Sequence, residues 1–175
     1  MNTRELSLAT VFAALYGTAV ISLAPVSFGP VQLRIADILI PLAALFGWPA
    51  VVGVSLGCLI SNSYYWLGLL DVLLGSAANL LAASSIFLLR KRPLLGCIVG
   101  SLIIGLIVGG YLWLFFPPPD LFAAAPAWFS MVVSITLSSL IAVSVIGYSV
   151  LRILSRPIIL RILVSKGLKV YMPKK

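Results

Sequence analysis

The sequence has 175 residues, of which 62% are hydrophobic and 9% charged, and its net charge is +8. A water-soluble domain carries about 25% charged residues to wet its surface, so this composition excludes one and specifies a membrane protein. The positive charge does not point to nucleic acid, because eleven of the twelve basic residues are Arg4, Arg90, Lys91, Arg92 and the seven beyond residue 151, between or after apolar runs, where the positive-inside rule and contact with anionic lipid place them.

The apolar runs predict an all-α bundle of six membrane helices, at about residues 6–24, 35–46, 49–66, 70–89, 94–116 and 126–151. The first begins at Leu6 after a single arginine and ends at Pro25. It lacks a small-residue cleavage site and leads into further spans, so it reads as a span and not as a removable signal peptide. Ala9, Ala13 and Gly17 recur every four residues on it. Such a small-residue face serves close packing within the bundle or docking of a separate membrane subunit.

Residues 25–34 (PVSFGPVQLR) hold two prolines and a glycine and are expected to form an irregular loop. The second helix is too short to cross a core of roughly 30 Å upright, and should be tilted or distorted near Pro41. At its mouth lie Gln32, Arg34 and Asp37. Charge at membrane depth is expensive and faces a partner or a cavity. One reading is an Arg34–Asp37 ion pair that staples the loop. The other is a recognition cluster: guanidinium and amide donors of fixed geometry beside a carboxylate that accepts two N–H groups suit a planar, polar heterocycle.

The third helix opens near Pro49, a proline suited to a first turn, and repeats the small-residue spacing at Gly53, Gly57 and Ser61. It brings Asn62, Tyr64, Tyr65 and Trp66 to one boundary, where aromatic rings settle in an interfacial belt or stack on a ligand. On the fourth helix Asp71, Gly75 and Asn79 share a face at i, i+4 and i+8. The glycine leaves space between the two polar groups, and Asn79 serves either a helix–helix hydrogen bond or a ligand. Cys58 and Cys97 have no CxxC spacing and read as small buried hydrophobes.

The fourth helix stops at RKRP and the fifth at PPP, just before Asp120. Ser130, Ser134 and Ser138 share a face of the sixth and read as packing, while Trp113 and Trp128 are weaker stacking candidates. The basic tail 152–175 mixes apolar and basic residues without a full span and is expected to lie on the membrane surface. No internal repeat supports an inverted-repeat transporter. With six spans, Arg4, the 90–92 run and the tail share one side, which should be cytoplasmic, as should both termini. Arg34 then stands alone at the far side, with Asp37, Asp71 and Asp120.

The stretch 24–34 (APVSFGPVQLR), Ala36-Asp37, GCLISN at 57–62 and GLLDVLLGS at 68–76 resemble the QueT family. The resemblance implies a substrate-binding S component of an energy-coupling factor (ECF) importer, in the plasma membrane, for a queuosine precursor with a 7-deazaguanine base. It implies a six-helix bundle whose pocket opens outward under the loop that carries Gln32 and Arg34. It also implies partners: a membrane coupling subunit, docked through an AxxxA pattern that Ala9 and Ala13 occupy, and two cytoplasmic ATPases. The family usually has glutamate where this chain has Asp37, one methylene shorter.

For such a base, Asp37 or Asp71 would accept from the two adjacent donors of the guanine-like edge, and Gln32 or Arg34 would donate to the ring carbonyl. An aminomethyl group, where present, would pair with the second carboxylate. Asn62 and Asn79 complete the expected substrate-binding set. The chain has no G-x-x-x-x-G-K-[ST] phosphate loop, so the energy for transport is expected from partners. No nucleophile–base pair points to an enzyme, and with no histidine neither a metal nor a cofactor is expected. Two rival readings are an S component for another small molecule, such as a water-soluble vitamin, and a membrane anchor without a ligand, which has no need of the polar cluster.

Overall fold

The computed structural model describes residues 2–24, 33–117 and 125–171. These form seven helices in place of the six expected, because the basic tail contributes a short helix of its own. The helices are α1 (Thr3–Ser22), α2 (Ile35–Phe46), α3 (Trp48–Tyr64), α4 (Leu69–Leu88), α5 (Pro93–Leu112), α6 (Ala127–Leu154) and α7 (Pro157–Ser165). Four of them, α1, α4, α5 and α6, are long and apolar enough to cross a membrane. Their outward faces carry exposed leucines and isoleucines such as Leu73, Leu81, Leu106 and Ile141. In water such a surface would aggregate, whereas a bilayer solvates it. The protein is a membrane protein.

The sequence sets the helix ends by ordinary rules. Asn2 accepts from the Glu5 amide at 2.9 Å and Glu5 accepts from the Asn2 amide at 3.1 Å, a reciprocal cap that starts α1 three residues before the apolar run. Gly47, with φ of +70°, makes the sharp joint between α2 and α3. Helix α5 ends at Leu112, short of the expected 116, as the chain turns toward the prolines.

Two helices depart from α geometry. Residues Ile35–Leu42 of α2 wind as a 3₁₀ helix around Pro41, which has no N–H to give, and only Ala43–Phe46 are α-helical. At about 2.0 Å per residue the 3₁₀ portion stretches the twelve residues to roughly 22 Å, against about 18 Å for a regular α-helix. The expected distortion at Pro41 thus lengthens a helix that is short for a membrane. In α6, residues Leu140–Gly147 widen into a π-helix, and Gly147 lies against the Pro41 ring and the Ile38 carbonyl.

Small residues bring the helices together. A Cβ on Gly53 would fall 2.5 Å from the Ala9 carbonyl, and one on Gly57 would fall 2.7 Å from the Ala13 carbonyl. The order of these contacts makes α1 and α3 parallel, as required if α2 returns between them. Gly109 of α5 meets the Val132 backbone of α6 in the same way. Within the seams lies a core that includes Tyr16, Ile40, Leu45, Ile86, Leu112 and Met131.

The bundle has a basic end. Asn2, Arg4 and Glu5 line one cleft with Phe46, Pro49, Gly167, Lys169 and Tyr171, so the start of α1 and the tail lie together. The Tyr171 amide donates to the Leu45 carbonyl at 2.9 Å, and its ring packs edge-on to Phe87 at 5.3 Å, close to the 90–92 run. The opposite end of the bundle carries the polar residues.

Candidate functional site

Arg34 is the last residue before α2, Asp37 sits in its first turn, Asn62 near the end of α3, and Asp71 and Asn79 on α4. All five are buried, none more than 6% exposed. Gln32 and Asp120 lie outside the described residues. Burying so many polar groups is costly unless each finds a partner, and the partners show how the site is built.

One branch centres on Tyr16 of α1. Its hydroxyl donates to Asp37 Oδ1 at 2.5 Å and accepts from Asn79 Nδ2 at 2.7 Å. A second branch runs through Arg34. Its guanidinium donates to Asn62 Oδ1 at 3.1 Å and to Cys58 Sγ at 3.4 Å, and Asn62 Nδ2 donates to the Asp71 carbonyl at 3.0 Å. Asp71 Oδ1 accepts from the Tyr111 hydroxyl of α5 at 2.8 Å. The other carboxylate oxygen of Asp71 has no hydrogen-bond partner among the described residues.

The expected face of α4 is therefore real but shared out. Asp71 faces α5, Asn79 faces α1, and the space at Gly75 is filled by Asn62, whose Nδ2 would lie 2.6 Å from an added Cβ. A cavity lined by Arg34, Asp37, Asn79, Ile104, Val108, Ile135 and Ser139 lies between α2, α4, α5 and α6. It has room for about one water molecule. Four of its lining residues are polar and three aliphatic, a mixture that suits a flat ring with hydrogen-bonding edges. Among the described residues no group of three His, Cys, Asp or Glu side chains is placed to hold a metal ion.

Tyr16 and Tyr111 belong to the buried polar cluster, although the sequence alone did not mark them. Of the aromatics singled out there, Tyr64, Trp66, Trp113 and Trp128 are exposed, as belt residues are, and Tyr65 is half-buried. Cys58 reads correctly as buried but is also polar in use, since its sulfur accepts from Arg34. Ala9 is 3% exposed and sits with Ala13 in the α1–α3 seam, so this small-residue face packs within the bundle.

Residues 6–156 match the sequence profile described as QueT transporter. A protein named Queuosine precursor transporter QueT, from Lactococcus lactis subsp. cremoris (strain MG1363), is 33% identical over 95 residues. That alignment covers 52% of this chain and 54% of the relative, so it spans about half the length of each. No solved structure matches the chain. The chain belongs to the QueT transporter family.

Proposed function

We propose that this member of the QueT transporter family is the substrate-binding S component of an energy-coupling factor importer and takes up a queuosine precursor with a 7-deazaguanine base. The observation that carries the reading is the buried cluster of Arg34, Asp37, Asn62, Asp71 and Asn79 beside an amphipathic cavity at one end of the bundle. Membrane proteins keep such groups where a substrate needs them. Asp37 and Asp71 accept from the donor edge of the base, and Arg34, with Gln32 from the preceding loop, donates to its carbonyl.

The basic end faces the cytoplasm, both termini included, and the cluster faces outward across the plasma membrane. Six segments, α1 to α6, cross or enter the bilayer, while α7 rests on its surface with Ile158 and Ile162 exposed beside Arg156 and Arg161. Two cytoplasmic ATPases drive transport through a membrane coupling subunit. That subunit docks on α1. Because Ala9 and Ala13 pack against α3, the surface α1 offers a partner is its outward side, with Thr10, Ala14 and Thr18.

Calorimetric titration of the purified protein with cyano- and aminomethyl-substituted 7-deazaguanine, with guanine and thiamine as controls, tests the substrate class. Tight binding of a deazaguanine with weak control binding is expected. Replacing Asp37 and Asp71 together with alanine should cost several kcal/mol of binding, at roughly 1.5–3 kcal/mol for each hydrogen bond to a charged group. A folded wild-type protein that binds neither deazaguanine would sink the assignment.

A further inference from the structure

We propose that the cleft at the basic end of the bundle binds one anionic phospholipid, with Arg4 and Lys169 holding the phosphate group and an apolar floor taking the start of an acyl chain. The inference is independent of the substrate read for the polar cluster.

The cleft joins distant parts of the sequence. Arg4 and Glu5 come from the first turn of α1, Phe46 and Pro49 flank the α2–α3 joint, and Leu168 and Lys169 belong to the tail. Its open volume is about 100 Å³, against about 10 Å³ for the cavity beside the polar cluster. That is several times what a water molecule needs.

Two features position the cations. Gly167 follows α7 with φ of +80°, turning the chain so that the Leu168 amide donates to the Leu163 carbonyl at 3.1 Å. The Arg4 guanidinium stands where a Cβ on Gly167 would be, so the glycine supplies both the turn and the space. Lys169 Nζ lies 4.9 Å from the centre of the Tyr171 ring, and Tyr171 is itself anchored on Leu45.

These cations have no ion-pair partner among the described residues. Glu5 is the only described carboxylate at this end, since Asp37 and Asp71 lie in the polar cluster. It offsets part of the charge, but it accepts from the Asn2 amide in the cap of α1. The four residues that follow Tyr171 in the sequence include two lysines and no acid. Like charges drawn into one cleft repel, and an anion between them relieves that cost.

The surroundings select the anion. Helix α1 sets out across the membrane from this cleft, so its first turn lies at the depth of the lipid headgroups. Leu8, Phe46, Pro49 and Leu168 give the cleft an apolar floor beneath its cationic rim. A free phosphate would use the rim alone, whereas a phosphate ester with hydrocarbon attached uses both. Basic pockets between membrane helices hold lipid headgroups in this manner.

The test is thermal unfolding of the detergent-purified protein titrated with phosphatidylglycerol, phosphatidylcholine or inorganic phosphate, with native mass spectrometry to count bound lipid. Phosphatidylglycerol should raise the wild-type midpoint and stay bound as one molecule, and the other two should do neither. Arg4→Gln with Lys169→Gln should need about 30-fold more phosphatidylglycerol for half the effect, at about fivefold for each cation. Arg161→Gln with Lys166→Gln removes two exposed cations outside the cleft and should titrate like wild type. Equal weakening in both double variants would overturn the site and leave only attraction to the charge of the tail. Inorganic phosphate as effective as phosphatidylglycerol would overturn the lipid in favour of a soluble phosphate, and phosphatidylcholine as effective would overturn the anionic headgroup. Should the cleft variant fail to fold, Lys169→Gln alone, at an exposed side chain, carries the same comparison at about fivefold.

Discussion

Tyr16 joins three helices through one oxygen: it stands on α1, donates to Asp37 on α2 and accepts from Asn79 on α4. Phenylalanine there keeps the ring in the core and removes only the bridge. Two buried polar groups would lose a partner, at about 1–3 kcal/mol each. Thermal unfolding of Tyr16→Phe should show a lower midpoint, and titration should show weaker ligand binding. A variant as stable and as tightly binding as wild type would show that the bridge is incidental. The sequence identified Asp37 and Asn79 because a charge or an amide at membrane depth is conspicuous. Tyrosine is not, because the same residue belongs in the interfacial belt. The available signal was position: Tyr16 lies in the middle of its span, far from either boundary. Tyr111 sits close to the end of α5 and carried no such mark.

Between helices, the α1–α3 seam decides what a substitution at Ala9 tests. Leucine at Ala9 would be forced against Gly53 and the parallel α3 backbone, an overpacking that costs typically 1–3 kcal/mol. Ala9→Leu should therefore lower both thermal stability and ligand affinity, while Ala14→Leu, on the exposed side of α1, should leave both unchanged and weaken capture by the proposed coupling subunit. Co-purification with the coupling module beside a melting curve separates the two, and an Ala9→Leu protein of wild-type stability would show that the seam has slack. The small-residue spacing was legible in the chain, but whether it faces inward or outward was not. A four-residue repeat fixes which residues share a face and says nothing about what that face meets. The distortion of α2 was legible at Pro41. The π segment of α6, which lies against α2, was not, because LIAVSVIG has neither proline nor charge to mark it.

Across the whole molecule, charge is polarised along the bundle, with the described basic residues other than Arg34 at or beyond the end where the chain's first and last described segments meet. The tail is fastened there, through the Tyr171 amide on Leu45 and its ring on Gly47 and Phe87. Removing that ring by Tyr171→Ala should lower stability by about 0.5–1.5 kcal/mol for the aromatic pair, plus the buried area lost. A melting midpoint equal to that of wild type would mean the tail is not held. Because α2 carries Asp37 at one end and Leu45 at the other, the fastening acts on the same short helix that helps form the site. The site itself, with space for about one water molecule, sets a kinetic consequence. The bicyclic base proposed as substrate cannot enter until side chains part and bonds such as Arg34–Asn62 or Tyr16–Asp37 are exchanged for bonds to it. Association should then be gated: the observed rate in stopped-flow mixing should level off as ligand concentration rises, at the frequency with which the cluster opens. A rate that climbs linearly to near the diffusion limit would mean that the door stands open.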